Sequence, residues 1–253
     1  MLIPLHDNNP LRYIRFQYVT VALIAACIAL FLFQISLGPD YGTVFVLRFG
    51  AIPAAVFGVA DRPPALAAVP DWMTLITSMF MHGGWMHLLG NMLFLWVVGD
   101  NVEDSLGHVR FVIFYVLCGI LAAITHAVTD PASTVPMIGA SGAISGVIGA
   151  YLVLHPRATI HTLFIHFIVQ LPAFVVLGLW AALQAFNAVA SLGAPGGVAW
   201  WAHIGGLAAG AILVVPFRRP GVPLFDRGLS LAPGDGRFQV RRRSVIPNTR
   251  RRR

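Results

Sequence analysis

The chain has 253 residues, of which 57% are hydrophobic and 11% charged. Soluble domains carry about 45–50% apolar and about 25% charged residues, so a water-soluble globule does not fit, and neither does a disordered chain, which needs low hydrophobicity. All 17 basic residues are arginine, eleven of them in 218–253 against only Asp226 and Asp235, and 158–217 holds no Asp, Glu, Lys or Arg; the basicity belongs to the tail and is no nucleic-acid signature of the whole chain.

At about 20 residues per membrane helix, the apolar content suffices for six spans. Residues 1–16, with Arg12 and Arg15, are expected as a cytoplasmic N-terminal segment. Apolar segments follow at 17–37, 85–99, 108–128, 141–155, 171–190 and 198–217. The first resembles a secretory signal, and Ile24-Ala25-Ala26-Cys27 resembles a lipoprotein cleavage box. The apolar run continues past Cys27 and five more spans follow, so an uncleaved helix is expected. Residues 74–84 are expected to add membrane-embedded structure ahead of the second span. Residues 160–170, with His161, His166 and Gln170, read as an interfacial helix or an early start of the fifth span, which Pro172 kinks or begins. Residues 218–253, rich in Arg, Pro and Gly, read as a disordered cytoplasmic tail held on anionic lipid. The expected fold is therefore an all-α membrane protein, a six-transmembrane-helix bundle over 17–217. Cys27 and Cys118 lie in apolar runs and read as small buried residues, with no disulfide framework or cysteine-based zinc site.

Orientation follows from the arginines. With the N-terminus inside, the inner segments hold fifteen arginines and the outer loops only Arg48 and Arg62, a strong positive-inside bias. Both termini are then cytoplasmic. The absence of a targeting segment and the compact six-span size point to a bacterial inner membrane. No internal repeat suggests a transporter built from inverted halves.

Polar groups at membrane depth default to functional hypotheses. His87 and Asn91, four residues apart, share a helix face at the outer start of the second span. Ser141 opens the fourth span from the same side, and Gly142, Gly146 and Gly149 give that helix a face without side-chain bulk. In the sixth span His203, Gly206 and Gly210 share one bare face, with His203 roughly 8 Å deep. Topology alone thus brings His87, Asn91, Ser141 and His203 to one membrane face at similar depth.

A serine hydroxyl is a weak nucleophile until a base takes its proton, and a neutral imidazole can do that near pH 7. The oxyanion of the tetrahedral intermediate needs preorganised donors. The Asn91 amide, the His87 ring and the Ser141 backbone N–H at a helix start can supply them. The span interiors contain no Asp or Glu as a third member, so catalysis would rest on a Ser–His dyad. Each pattern alone reads more simply as packing, capping or scaffold. Two other classes stand beside the enzyme: a non-catalytic scaffold that binds transmembrane helices, and a haem or metal protein using His87, His126 and His203.

Together the patterns H-x-x-x-N, G-x-S-G and A-H-x-x-G-x-x-x-G, in that order over six spans, closely resemble the rhomboid intramembrane serine proteases. The resemblance runs from about Trp72 to Pro216 and includes Gly99-Asp100-Asn101-Val102-Glu103-Asp104, similar to the family's turn after the second span. It implies Ser141 as nucleophile and His203 as general base, with His87, Asn91 and the Ser141 amide binding the oxyanion. It implies that Gly139 shapes the loop before the serine, that Glu103 is structural within the inner loop, and that 38–84 is a first loop lying partly in the outer leaflet; Gly142 and Gly206, on the bare helix faces, and Ser145, by a hydrogen bond to His203 or through a water, are expected to shape the site as well. Substrates would be transmembrane proteins in the bilayer; no cofactor, metal or nucleic acid is implied. The sequence departs from the family at two places. Met73 follows Trp72 where an anchoring arginine is frequent, and Ser145 stands where an aromatic often stacks on the base.

Overall fold

The computed structural model describes residues 2–191 and 198–226. The fold is predominantly helical. Nine helices run α1 (Tyr18–Ser36), α2 (Gly38–Phe49), α3 (Pro53–Val56), α4 (Asp71–Thr77), α5 (Trp85–Leu106), α6 (His108–Ala127), α7 (Ser141–Leu154), α8 (Ala173–Ala190) and α9 (Trp200–Phe217) among the described residues. Each predicted span coincides with one of α1, α5, α6, α7, α8 and α9, within a few residues except at the end of α5. Among the described residues, α1, α6, α8 and α9 are long and apolar enough to cross a membrane.

α7 is the axis of the bundle. It has 14 residues, so it is about 21 Å long and shorter than a typical bilayer core. It is enclosed by α5, α6, α8 and α9, and Gly142 through Tyr151 are all buried. The glycine faces expected from the sequence are the contact surfaces. A Cβ on Gly206 would collide with the Gly142 carbonyl oxygen, and one on Gly210 with that of Gly146. Backbone therefore meets backbone along the α7–α9 seam. α1, by contrast, buries only Thr20, Cys27 and Phe31, a single stripe at helical spacing.

Three expectations are corrected. Residues 160–170 form no helix. They lie in a hairpin of β2 (Thr159–Phe164) and β3 (Phe167–Pro172), and β1 (Leu2–Asp7) from the N-terminal segment pairs antiparallel with β2, so the fold is not all-α. The β-branched and aromatic residues of Thr159–Phe164 and Phe167–Val169 suit a pleated surface, and a chain with no charge conceals that preference. The stretch Gly99–Asp104 is no turn; it belongs to the final turns of α5, which continues to Leu106. Residues 218–226, expected as the start of a disordered tail, pack back on the bundle. The Arg219 N–H donates to Ser105 O at 2.9 Å, Phe225 N–H to Val153 O at 2.7 Å, and Arg12 pairs with Asp226 at 3.2 Å. The rest of the expected tail, 227–253, lies outside the described residues.

The same end of the bundle carries an acidic hub. Glu103 is fully buried and accepts from the Val19 and Thr20 N–H groups at 3.0 and 2.8 Å and from the Thr20 hydroxyl at 2.7 Å. Its other neighbour is His108, 2.6 Å away. Its structural role is thus to cap α1 from across the bundle, satisfying N–H groups that a helix start leaves open. Asp104 accepts from the N–H groups of Arg12, Tyr13 and Ile14 at 2.7–2.8 Å. Asp7, on β1, accepts from the Tyr151 hydroxyl at 2.5 Å.

At the opposite end, 38–84 folds into α2–α4 and short turns. Arg62 is buried there. Its guanidinium donates to the Leu47 carbonyl, to Gly50 O at 3.3 Å and to Asp71 at 2.7 Å. The loop lacks an arginine at Met73, and Arg62 ties its backbone instead.

Candidate active site

Ser141 is the first residue of α7 and His203 the fourth of α9, about 5 Å from the start of its helix. The Gly142–Gly206 contact brings the two helices close enough for their side chains to meet. His203 Nε2 lies 2.8 Å from Ser141 Oγ, inside hydrogen-bond range. His203 is 7% exposed.

The loop before Ser141 sets the second half of the site. Gly139 has φ +125°, a region L side chains avoid. A Cβ there would stand 2.7 Å from the His87 ring and 3.8 Å from Asn91 Nδ2. The bare backbone at 139 therefore lets both side chains of α5 sit over the approach to Ser141. The Gly139 N–H is held by Ser78 O at 2.9 Å. His87 Nδ1 accepts from the Gly83 N–H at 3.3 Å, which leaves the proton of a neutral ring on Nε2, the side that faces Gly139. Asn91 is buried and its Nδ2 has no hydrogen-bond partner among the described residues. A buried donor without an acceptor is costly, and this one stands beside the serine loop. A cavity of about 40 Å³ opens next to Ser141, lined among others by Met79, Gly119, Ala122, Gly139 and Ala202.

The four residues singled out from sequence thus gather at one end of the bundle, and Gly139, Gly142 and Gly206 act there as close-approach positions. Ser145 behaves differently. It is fully buried, and its hydroxyl donates to the Ser141 carbonyl at 2.6 Å rather than to His203. Three residues not singled out surround His203 instead. Gln184 Oε1 lies 2.9 Å from its Nδ1. The Trp180 ring lies 6.0 Å away at 36° and the Trp200 ring 5.8 Å away, edge-on at 87°. The available signal was the amide of Gln184 inside an apolar span. Both ring nitrogens of His203 are thus engaged, Nδ1 with Gln184 and Nε2 with Ser141. No group of three metal-ligating side chains is assembled among the described residues.

Comparison with known proteins bears on the family of the chain. The family model of the Rhomboid domain matches residues 69–220. Rhomboid protease GluP of Bacillus subtilis is 36% identical over 54% of this chain and 24% of its own length. Rhomboid protein 1, mitochondrial, of Saccharomyces cerevisiae is 30% identical over 64% of this chain and 49% of its own. Rhomboid protease AarA of Providencia stuartii is 28% identical over 60% and 58%. The chain therefore spans between about a quarter and rather more than half of these relatives. Since the family model covers more than half of the sequence, the chain belongs to the rhomboid family.

Proposed function

We propose that this rhomboid-family chain is an intramembrane serine endopeptidase that cleaves transmembrane segments of other membrane proteins. The observation that carries the reading is the 2.8 Å separation of His203 Nε2 and Ser141 Oγ. In the reaction, His203 takes the Ser141 proton as Oγ attacks the scissile carbonyl. Asn91 Nδ2, His87 Nε2–H and the Ser141 N–H receive the oxyanion. The protonated imidazole then gives its proton to the leaving amine as the C–N bond breaks. Water entering by the cavity hydrolyses the acyl-enzyme and regenerates the hydroxyl. A helical substrate shields its own backbone, so it must unwind locally, which favours Gly, Pro or polar residues near the cut. The small residues around the cavity favour a small residue before it.

The same reading takes α1, α5, α6, α7, α8 and α9 as six spans of a membrane domain over 17–217, with both termini cytoplasmic and the site opening outward in a bacterial inner membrane. The arginines beyond 217 would then lie on anionic inner-leaflet lipid. The names of GluP and AarA as proteases support the activity. The test is fluorophosphonate labelling of the detergent-solubilised chain. Labelling of wild type that vanishes in Ser141→Ala and His203→Ala is the expected result. A folded wild type that stays unlabelled overturns the reading in favour of a non-catalytic scaffold for transmembrane helices.

A further inference from the structure

We propose that Gln184 is the positioning residue of the site: it holds His203 in the tautomer with the proton on Nδ1, so that Nε2 faces Ser141 as an acceptor. The significance of this tautomer for catalysis rests on the reading of Ser141 and His203 as the reacting pair; the tautomer itself rests on the hydrogen bonds alone.

An imidazole flanked by two hydrogen-bonding groups can stand in either of two tautomers, and only one makes it a base toward Ser141. Gln184 Oε1 and Nε2 are likewise exchangeable by a flip of the amide. The ambiguity is broken one residue further out. Gln184 Nε2 lies 3.2 Å from the backbone carbonyl of Trp180, one turn earlier on α8, and a carbonyl can only accept. Nε2 must therefore donate to Trp180 O, which turns Oε1 towards His203 Nδ1 at 2.9 Å. Oε1 can only accept, so Nδ1 carries the proton. Nε2 then holds the lone pair, and the Ser141 hydroxyl donates to it at 2.8 Å. The opposite flip would set two oxygens against each other at Trp180 and would leave His203 donating to Ser141, the wrong direction for proton abstraction.

The choice of an amide fits its surroundings. Gln184 is 5% exposed. A carboxylate there would have to be desolvated at high cost, whereas an amide oxygen accepts the same proton without carrying charge. Trp180 and Trp200 flank the ring that Gln184 orients. They stand on α8 and α9, while α7, where the family often places its aromatic, carries the small Ser145. In this chain the contact that orients His203 Nδ1 comes from α8.

The test combines a tautomer measurement with kinetics on the full chain in detergent micelles. In ¹⁵N-histidine-labelled protein, two-bond ¹H–¹⁵N correlations, assigned with His203→Ala, are expected to report His203 as Nδ1–H. Gln184→Leu is expected to shift His203 towards Nε2–H and to slow fluorophosphonate labelling on the order of 10²-fold. Gln184→Glu is expected to keep Nδ1–H, to restore labelling at alkaline pH, and to move the acidic limb of the rate–pH profile upward, because a carboxylate favours the protonated imidazole. Wild-type His203 found as Nε2–H overturns the proposal. So does a Gln184→Leu variant with unchanged tautomer and unchanged rate. If Gln184→Leu does not fold, the wild-type tautomer decides. A wild type that holds Nδ1–H but never labels overturns the proposed function and leaves the tautomer assignment standing.

Discussion

At the end of the bundle that holds the sheet, the carboxylates of Glu103 and Asp104 are surrounded by backbone donors from α1 and the segment before it. At the end that holds Ser141, Asn91 Nδ2 is buried without a hydrogen-bond partner among the described residues. Both sets of polar groups sit in a largely apolar protein, yet they answer to different demands. The filled valences of Glu103 and Asp104 join α5 to α1 and to the residues before it, which are remote in sequence. A donor left open at the Ser141 end reduces stability and is ready for an acceptor that arrives from outside.

The comparison can be broken by exchanging the expected phenotypes. The largest effect should follow Glu103→Ala, which strips the cap from α1 and leaves the Val19 and Thr20 donors buried. It should cost about 1–3 kcal/mol of stability, read as a lower thermal midpoint in detergent; a melt like that of wild type would remove the structural role. Asn91→Ala should do the reverse. Labelling should slow by about 10²–10³-fold, while the melting temperature holds or rises, because a donor without a partner has gone. Equal loss of stability would make Asn91 scaffold.

A third prediction concerns pH. Burial pushes the Asp7 carboxyl up from 3.8 to about 7, and the bond from Tyr151 only partly opposes this. Between those values the unfolded chain has lost the proton and the folded chain keeps it, so stability falls as pH rises through that window. Asp7→Asn should flatten the dependence of the melting temperature on pH over the same range; an unchanged slope would assign it to other groups. The smallest effect is expected for Ser145→Ala. Among the described residues its hydroxyl bonds only to a carbonyl of its own helix, so labelling should stay close to wild type. A large loss would return the orientation of His203 to α7.

The helices were legible in the sequence because apolar runs of membrane length have few alternatives. The grouping of His87, Asn91, Ser141 and His203 at one end was legible because the alternation of the predicted spans puts them there, and the glycines at 142 and 206 announce a seam. Two things were hidden. The hairpin of Thr159–Phe164 and Phe167–Pro172 has its strand signal in alternating Thr, Ile and Phe, but among apolar spans the same residues also read as a helix. The end of α5 was hidden because Asp100, Glu103 and Asp104 look like a solvated turn until the partners of Glu103 and Asp104, distant in sequence, are known. Gln184 belongs to a third kind: its type was visible, but its meaning depends on the carbonyl of Trp180 and the ring of His203.

The pairing of β1 with β2 also orders events in time. Leu2 meets Phe164 across the whole length of four predicted spans. At a synthesis rate of about 5–20 residues per second, the N-terminal strand must wait on the order of ten seconds for its partner to be made. Such a long-range pairing is intrinsically slow to close. The strand therefore cannot guide the first helices into place. It is fastened after them, and once Pro172 has been added the sheet can tie residues 2–7 to the end of α7, before α8 and α9 are made.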